Sequence, residues 1–275
     1  MKIHVLKAGE VMISPSLAYT ENKHINPKSH GLFLKESDRI SFPVLSFLIQ
    51  TGNKNILVDT GIKETLESEN PLDLKTQFNA VKAPLTFAST RFHLQSGESL
   101  IHRLKNINVS VDDIDYIILT HLDFENVSGV CDFPGNKILV SRDEAKAAVK
   151  NPLRYSRTWW KNSNISVFDW NGKEGPFEKS FDLLGDGSVE LISLKGHSNG
   201  MVGVRVKSES KKFTLLYADA GYGELAWKEL APPAITMDRE ASERSLEWVR
   251  MESLDKNCAY SISSHENTDL QILNF

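Results

Sequence analysis

The 275-residue sequence predicts an α/β protein built as a single domain, and three observations lead to this expectation. Short apolar runs of strand character alternate with segments of helical periodicity along the chain. The length is near the upper end for one α/β unit, and no linker or internal repeat divides it. Ligand-type side chains recur just after apolar runs, as expected for loops carried by a sheet. We therefore expect one domain over residues 1–275.

Composition and charge exclude several classes of protein. A hydrophobic content of 40%, a charged content of 25% and a net charge of −4 are typical of a globular protein without a nucleic-acid partner. The first residues, MKIHVLKAGEVM, contain no apolar run of signal-peptide length, and no later run approaches the ~20 residues of a membrane helix. The sequence thus predicts a cytoplasmic protein without a membrane partner. Because Cys131 and Cys258 form no C-x-x-C pair, any metal must be held by histidines and carboxylates.

The first half of the chain predicts a hairpin, a helix and a strand in that order. The runs VLSFLIQT and NILVDTG flank the turn signal GNKN, which predicts a β-hairpin ending near Asp59. In GESLIHRLKNI the apolar residues Leu100, Ile101 and Leu104 have helical spacing. A strand is expected next, in the isoleucine-rich run that stops at Thr120.

The second half repeats this alternation. KILVS predicts a strand, and Ser141 with Glu144 has the S-x-x-E spacing of a capping box for the helix RDEAKAAVKN. Strands are expected in SVELISL, MVGVRV, KFTLLYADAGY and AYSIS, with a helix across ASERSLEWVRMESL. Two segments lack clear periodicity, near 63–100 and 151–180, and we interpret them as lids.

Four ligand-type residues each lie just beyond a strand-like run: His121, His197, Asp219 and His265. Such residues converge on one edge of a sheet, so their recurrence predicts one site. The remaining histidines show no ligand spacing and are interpreted as structural. They are His4, His24, His30, His93 and His102.

The order of these motifs resembles that of the metallo-β-lactamase superfamily, and within it the cytoplasmic hydrolases that include the acyl-homoserine lactonases. The resembling segments are ILVDTG, IILTHLDFENVSGV at the place of T-H-x-H-x-D-H-x-x-G, LKGHSNG at the place of P-G-H-x-x-G, LYADAGY and SSHE. The resemblance implies a four-layer αββα sandwich with a metal site between two sheets.

The same resemblance implies a ligand set. It places His121, Asp123, His197 and Asp219 around a first metal, with Asp219 bridging to a second. The second position would use Glu125 and His265, but Asn126 stands where the family has a histidine. Asp123 also replaces a histidine, and a carboxylate there suits Fe or Mn as well as Zn. We expect one or two divalent ions, zinc first among them, with the second position weak.

The implied chemistry is metal-assisted hydrolysis of a small-molecule substrate, namely an ester, lactone or thioester. Glu125 would manage the proton, and Tyr222, at the D-x-x-Y spacing of the lactonases, would help polarise the carbonyl. Asp59 is expected to orient a ligand rather than to bind metal.

Two other functions stay open. A pseudoenzyme or binding protein is indicated by Asn126 and Glu125, whereas a di-iron-like oxidoreductase is indicated by Asp123. The chain lacks the flavodoxin-like domain that would supply electrons to di-iron chemistry. Against a metal-free site, Asp123, Glu125 and Asp219 would repel one another without a cation. The sequence leaves the substrate, the number of metals and the oligomeric state open.

Overall fold

Two β-sheets backed by helices form the frame of the protein in the computed structural model, which describes residues 1–18 and 34–275. The strands are β1 (Lys2–Ile13), β2 (Ile40–Thr51), β3 (Lys54–Val58), β4 (Arg91–His93), β5 (Tyr116–Ile118), β6 (Ile138–Ser141), β7 (Ile165–Phe168), β8 (Ser180–Asp182), β9 (Val189–Ser193), β10 (Val202–Lys207), β11 (Phe213–Leu216), β12 (Cys258–Ile262) and β13 (Ile272–Asn274). The α-helices are α1 (Pro15–Ala18), α2 (Leu74–Val81), α3 (Pro84–Ser89), α4 (Leu100–Asn106), α5 (Phe124–Val127), α6 (Arg142–Lys150), α7 (Glu224–Glu229) and α8 (Arg239–Ser253). Short 3-10 turns lie at Glu36–Asp38, Glu64–Leu66, Val111–Asp113, Ser128–Asp132, Arg157–Trp159 and Ala218–Ala220.

The larger sheet has the strand order β13-β1-β2-β3-β5-β6-β7, and β4 pairs with β1. The predicted hairpin is its centre, where β2 and β3 are antiparallel with Phe47 opposite Val58. From β3 onward the strands β5, β6 and β7 are parallel. The loops after β3 and β5 therefore leave the sheet at the same edge.

The smaller sheet has the order β12-β11-β10-β9-β8. The pairs among β8, β9, β10 and β11 are antiparallel, whereas β11 and β12 are parallel. The loops after β11 and β12 therefore also leave at one edge, because parallel strands end on the same side.

Three apolar clusters show that the layers stack as helix, sheet, sheet, helix. Alternate residues of β3 point to opposite faces, as the strand period of two requires. Leu57 packs with helical residues such as Leu104 in the first cluster, whereas Ile56 and Val58 pack in the second. That second cluster joins the two sheets. A third, which includes Leu215, Leu246 and Val249, joins the smaller sheet to α8.

The helix α6 begins at the predicted residue, but its cap differs from the prediction. The Ser141 hydroxyl accepts from the Glu144 N–H, as expected of an N-cap. The Glu144 carboxylate does not complete a capping box, because it is turned into the protein and accepts bonds from three other loops. A buried glutamate with better partners overrides the local pattern.

The two segments interpreted as lids contain regular elements that the sequence did not reveal. Residues 63–100 hold α2, α3 and β4, and residues 151–180 hold β7 and the first residue of β8. Both segments contribute to the wall of one cavity, through residues such as Leu85 and Arg154. Their function as lids remains a prediction. Across residues 1–18 and 34–275, no helix combines the length and apolarity needed to cross a membrane.

Candidate metal centre

Four predicted metal ligands, and Asp59, which was predicted to orient a ligand, follow strand ends in the two sheets. Asp59 comes directly after β3, and His121 lies three residues after β5. In the smaller sheet His197 follows β9, Asp219 follows β11 and His265 follows β12. All five are buried, with exposed fractions of 3% or less. The sheet frame therefore brings these residues together, as the sequence predicted.

The backbone around the site requires unusual conformations. Gly196 precedes His197 with φ of 141°, and a Cβ there would lie 2.3 Å from the backbone nitrogen of Ser242. Asp59 and Ala218 are non-glycine residues with φ of 57° and 48°. Such conformations cost about 1–3 kcal/mol each and are common where a structure positions functional groups.

Three side chains form the compact core of the site. One ligand atom from each of His121, Asp123 and His197 lies within 4.8 Å of the others. Asp123 Oδ2 is 3.4 Å from His121 Nε2 and 3.0 Å from His197 Nε2. This trio is most of the ligand set predicted for the first metal.

Asp219 lies between this trio and His265. Its Oδ2 is 3.8 Å from His121 Nε2, 3.9 Å from His197 Nε2 and 3.2 Å from His265 Nε2. One carboxylate oxygen thus faces three imidazoles, which is the arrangement required of a bridging ligand. Burial opposes ionisation of Asp219, but His265 and His121 outweigh it and hold its pKa below the ordinary value.

The spacing of these donors fits a divalent ion. Four ligands at about 2.0–2.2 Å from zinc in a tetrahedron lie roughly 3.3–3.6 Å apart. The distances from the Nε2 atoms of the two histidines of the trio to the carboxylate oxygens of Asp123 and Asp219 run from 3.0 to 3.9 Å. His121 Nε2, Asp219 Oδ1 and Glu125 Oε2 are buried without a hydrogen-bond partner among the described residues. These donors are chemically suited to a metal that would satisfy them.

Two of the histidines have outer partners that orient them. His121 Nδ1 lies 3.0 Å from Thr120 Oγ1, and that hydroxyl donates to Asp59 Oδ2 at 2.8 Å. His265 Nδ1 lies 2.8 Å from the Pro43 carbonyl oxygen. A ligand histidine usually donates its second N–H in this way, which leaves Nε2 facing the metal. The prediction that Asp59 acts through a ligand agrees with these contacts.

The buried donors shift one another's pKa values. Burial lowers the pKa of His121, but Asp219 and Asp123 outweigh it and raise that pKa to about 10. Burial, reinforced by Asp123, raises the pKa of Glu125 to about 7. Each shift records a carboxylate excess that a bound cation would relieve.

Asn126 does not face the donors through its amide nitrogen. Its Nδ2 donates to Asp59 Oδ2 at 3.0 Å, and its main-chain carbonyl accepts from Thr60. The residue therefore supports the loop after β3. Its amide is a poor ligand for a transition metal compared with an imidazole.

Arg154 enters the site and was not predicted from the sequence. Its Nε and Nη2 donate to the two oxygens of Asp123 at 2.8 and 2.6 Å. Nη2 also lies 3.0 Å from His197 Nε2, and Nη1 donates to the His197 carbonyl at 2.9 Å. Burial raises the pKa of the Asp123 carboxyl, but Arg154 outweighs it and holds that pKa well below the ordinary value.

Glu144 is a second residue that the sequence did not reveal as part of the site. Its Oε1 accepts from the Leu122 N–H and the Tyr155 hydroxyl, and its Oε2 accepts from the Ser198 hydroxyl and the Gly200 N–H. One buried carboxylate thus ties the loop after β5 to the loop after β9. Only its S-x-x-E spacing was visible, and that spacing indicated a helix cap.

A cavity of about 360 Å³ opens beside the donors. Asp123, Glu125, Arg154, His197 and Tyr222 line its polar side. The Tyr222 ring packs 4.6 Å from the His265 ring, and burial raises the pKa of its hydroxyl well above the usual value, so the hydroxyl stays protonated. The apolar part of its lining includes Ile13, Leu17, Leu85, Ala88, Ile235 and Met237.

The remaining histidines differ in their surroundings. His93 lies in β4, and its Nε2 is buried without a hydrogen-bond partner among the described residues. His4 Nε2 bonds the Gln50 side chain, and His102 Nδ1 bonds Ser99 and Glu67. His24 and His30 lie outside the described residues, as does the part of the predicted domain at 19–33.

The fold is a four-layer sandwich, and histidine and carboxylate donors lie together at its strand ends. This combination indicates a metallohydrolase. The family model described as the metallo-beta-lactamase superfamily matches residues 40–247, which is more than half of the chain. The chain therefore belongs to the metallo-β-lactamase superfamily, and the predicted fold class is confirmed.

Individual proteins agree with this assignment. The chain is 28% identical over 266 residues to the N-acyl homoserine lactonase AiiB of Rhizobium rhizogenes, covering 90% of this chain and 88% of that protein. It superimposes on an N-acyl homoserine lactone hydrolase with N-hexanoyl-L-homoserine at its catalytic metal centre, with a TM-score of 0.72 and 21% identity, covering 97% and 93% of the two chains. It also matches the dizinc quorum-quenching lactonase AidC, with a TM-score of 0.63 and 16% identity over 98% and 88%.

Proposed function

We propose that this protein is a metal-dependent hydrolase of small lactones or esters. The observation that carries the proposal is the buried cluster of six donors beside a half-apolar cavity. We assign as its metal-site residues His121, Asp123, Glu125, His197, Asp219 and His265.

A bound divalent ion supplies a Lewis acid that polarises a carbonyl oxygen and acidifies an attacking water. The donor set is rich in carboxylates, which reduce that Lewis acidity and favour activated substrates over amides. Zinc suits the histidines, and iron or manganese suits the added carboxylates.

Two side chains of the cavity wall would manage protons during hydrolysis. Glu125 lines the cavity, and its Oε2 has no hydrogen-bond partner among the described residues, so it would take the proton of the attacking water. Water adds to the carbonyl carbon, the bond to the leaving oxygen breaks, and Glu125 returns the proton to that oxygen. Tyr222 stays protonated and would donate its O–H to the carbonyl oxygen.

The apolar wall favours a substrate with a hydrocarbon portion. Leu17, Leu85 and Ile235 line the same cavity as the charged residues. Burying a hydrocarbon chain there contributes roughly 0.8 kcal/mol for each CH₂ group. Since a similar protein is an N-acyl homoserine lactonase, N-acyl lactones are the first substrates to examine.

The test is a panel of N-acyl homoserine lactones, simple lactones, thioesters and aryl esters. The protein is stripped with a chelator and assayed with and without Zn, Mn or Fe. We expect turnover only with metal, and a loss of about 100-fold or more in Glu125→Gln, as for a general base. The exposed Glu243→Gln is the matched control and should keep full activity.

Absence of turnover with every metal would reject the hydrolase and favour the metal-free binding protein. Metal-dependent oxygen consumption without hydrolysis would instead support the di-iron-like reaction that a carboxylate at position 123 allows.

A further inference from the structure

Arg154 occupies ligand atoms that a first metal would need. The guanidinium uses both oxygens of Asp123, and its Nη2 lies 3.0 Å from His197 Nε2. His197 Nε2 also lies 3.0 Å from Asp123 Oδ2, so it either donates its proton to Asp123 or accepts from Arg154, and in both cases it has no lone pair left for a metal. Arg154 is only 7% exposed, and its second contact with the His197 carbonyl fixes it further.

The three histidines differ in the support that they receive. His121 and His265 each have an acceptor near Nδ1, which is the usual partner of a metal ligand. His197 Nδ1 is buried and has no hydrogen-bond partner within the described ranges. His197 is therefore arranged as a partner of Arg154, whereas the other two are arranged as metal ligands.

The charges of the cluster also favour one metal ion beside Arg154. The donor carboxylates are Asp123, Glu125 and Asp219, and one divalent ion with Arg154 would balance all three. A second divalent ion would leave an excess of positive charge in a buried site, which is unfavourable. Asn126 replaces an imidazole with an amide whose Nδ2 donates to Asp59, and its buried Oδ1, without a hydrogen-bond partner among the described residues, is a poorer ligand for a transition metal.

We propose that Arg154 is a resident cation that takes the place of one metal, so that the site holds a single divalent ion. The ion is bound by the donors that Arg154 leaves free: His121, Asp219, His265 and Glu125. This reverses the order of affinities expected from the motifs, in which the position with Asp123 and His197 was the tighter one. The inference rests on the proposed function in requiring a metal at this site.

The wild-type protein provides the first test. It is stripped with a chelator, reloaded with excess zinc, separated from unbound zinc by gel filtration and measured by elemental analysis. We expect one zinc per chain. Two tightly held ions would overturn the single-ion site while leaving the hydrolase proposal intact, and no zinc would overturn both.

Variants of the arginine provide the second test. Arg154→Met removes the charge and frees His197 Nε2, so a second ion should bind, with an affinity about 10- to 100-fold above that of any second ion in the wild type. Arg154→Lys keeps the charge and should hold one ion. The control is Arg142→Met, since Arg142 makes the same two-bond contact with Asp169 at the surface. Equal zinc content and affinity in Arg154→Met and the control would overturn the proposal.

Histidine variants keep the test decisive if Arg154→Met does not fold. His197→Ala should retain one zinc per chain, and His265→Ala should lose it. The opposite result, with zinc lost only in His197→Ala, would place the ion in the position that we assign to Arg154.

Discussion

Removing the buried Glu144 carboxylate should loosen the two loops that carry the site. Glutamine retains one oxygen, which keeps the two bonds on its side, and its NH₂ group can donate to the Tyr155 or Ser198 hydroxyl on the other side but not to the N–H there. The backbone N–H that faces the NH₂ group loses its bond to a charged acceptor, at about 1.5–3 kcal/mol. Glu144→Gln should therefore lower the free energy of unfolding by about 1.5–3 kcal/mol. Glu144→Ala loses all four bonds, about 6 kcal/mol, a large part of the roughly 5–15 kcal/mol of a domain.

The assay is urea unfolding of the metal-free protein, followed by zinc titration of the folded variant. Glu243→Gln is the control, because Glu243 is exposed and makes one ion pair with Arg239 across a helical turn. That pair is worth less than about 1 kcal/mol. We also expect weaker zinc binding in Glu144→Gln, since Leu122 follows the ligand His121 directly.

A loss of less than about 1 kcal/mol in Glu144→Gln would refute this reasoning. It would mean that water or a shifted loop satisfies the Leu122 and Gly200 N–H groups, and that the carboxylate does not join the two loops.

Three further predictions concern the cavity and its loops. Because its folded-state pKa is raised from 4.5 to about 7, Glu125 stabilises the metal-free protein below pH ~4.5, and this contribution, about 3 kcal/mol, is lost as the pH rises through 7. The free energy of unfolding measured at pH 5 and at pH 8 should reveal that loss, and Glu125→Gln should not show it. An equal pH dependence in the two proteins would contradict the burial argument. Tyr222→Phe should lower kcat by about 100-fold, and unchanged kcat would remove the tyrosine from the mechanism. Gly196→Ala should destabilise the protein by about 3 kcal/mol because its Cβ meets Ser242; an unaltered melting temperature would show that the loop can shift.

The sequence by itself determined the elements that local periodicity controls. Apolar runs on both sides of the turn signal GNKN predicted the hairpin of β2 and β3, and helical spacing predicted α4. The position of ligand-type residues after strands predicted one site, because strand ends share a sheet edge. His121, His197, Asp219 and His265 meet there for that reason.

Only the tertiary structure decided which charges share the site. Arg154 lies 31 residues from Asp123 and 43 residues from His197, in a segment without periodicity, so no local pattern linked them. Glu144 had a local pattern, but it pointed to a helix cap rather than to the loops of the site. Hydrogen bonds between distant loops form only after the sheets have packed, and burial then strengthens them by excluding water. Strand and helix are therefore readable in the sequence, whereas the partners of a buried charge depend on the completed fold.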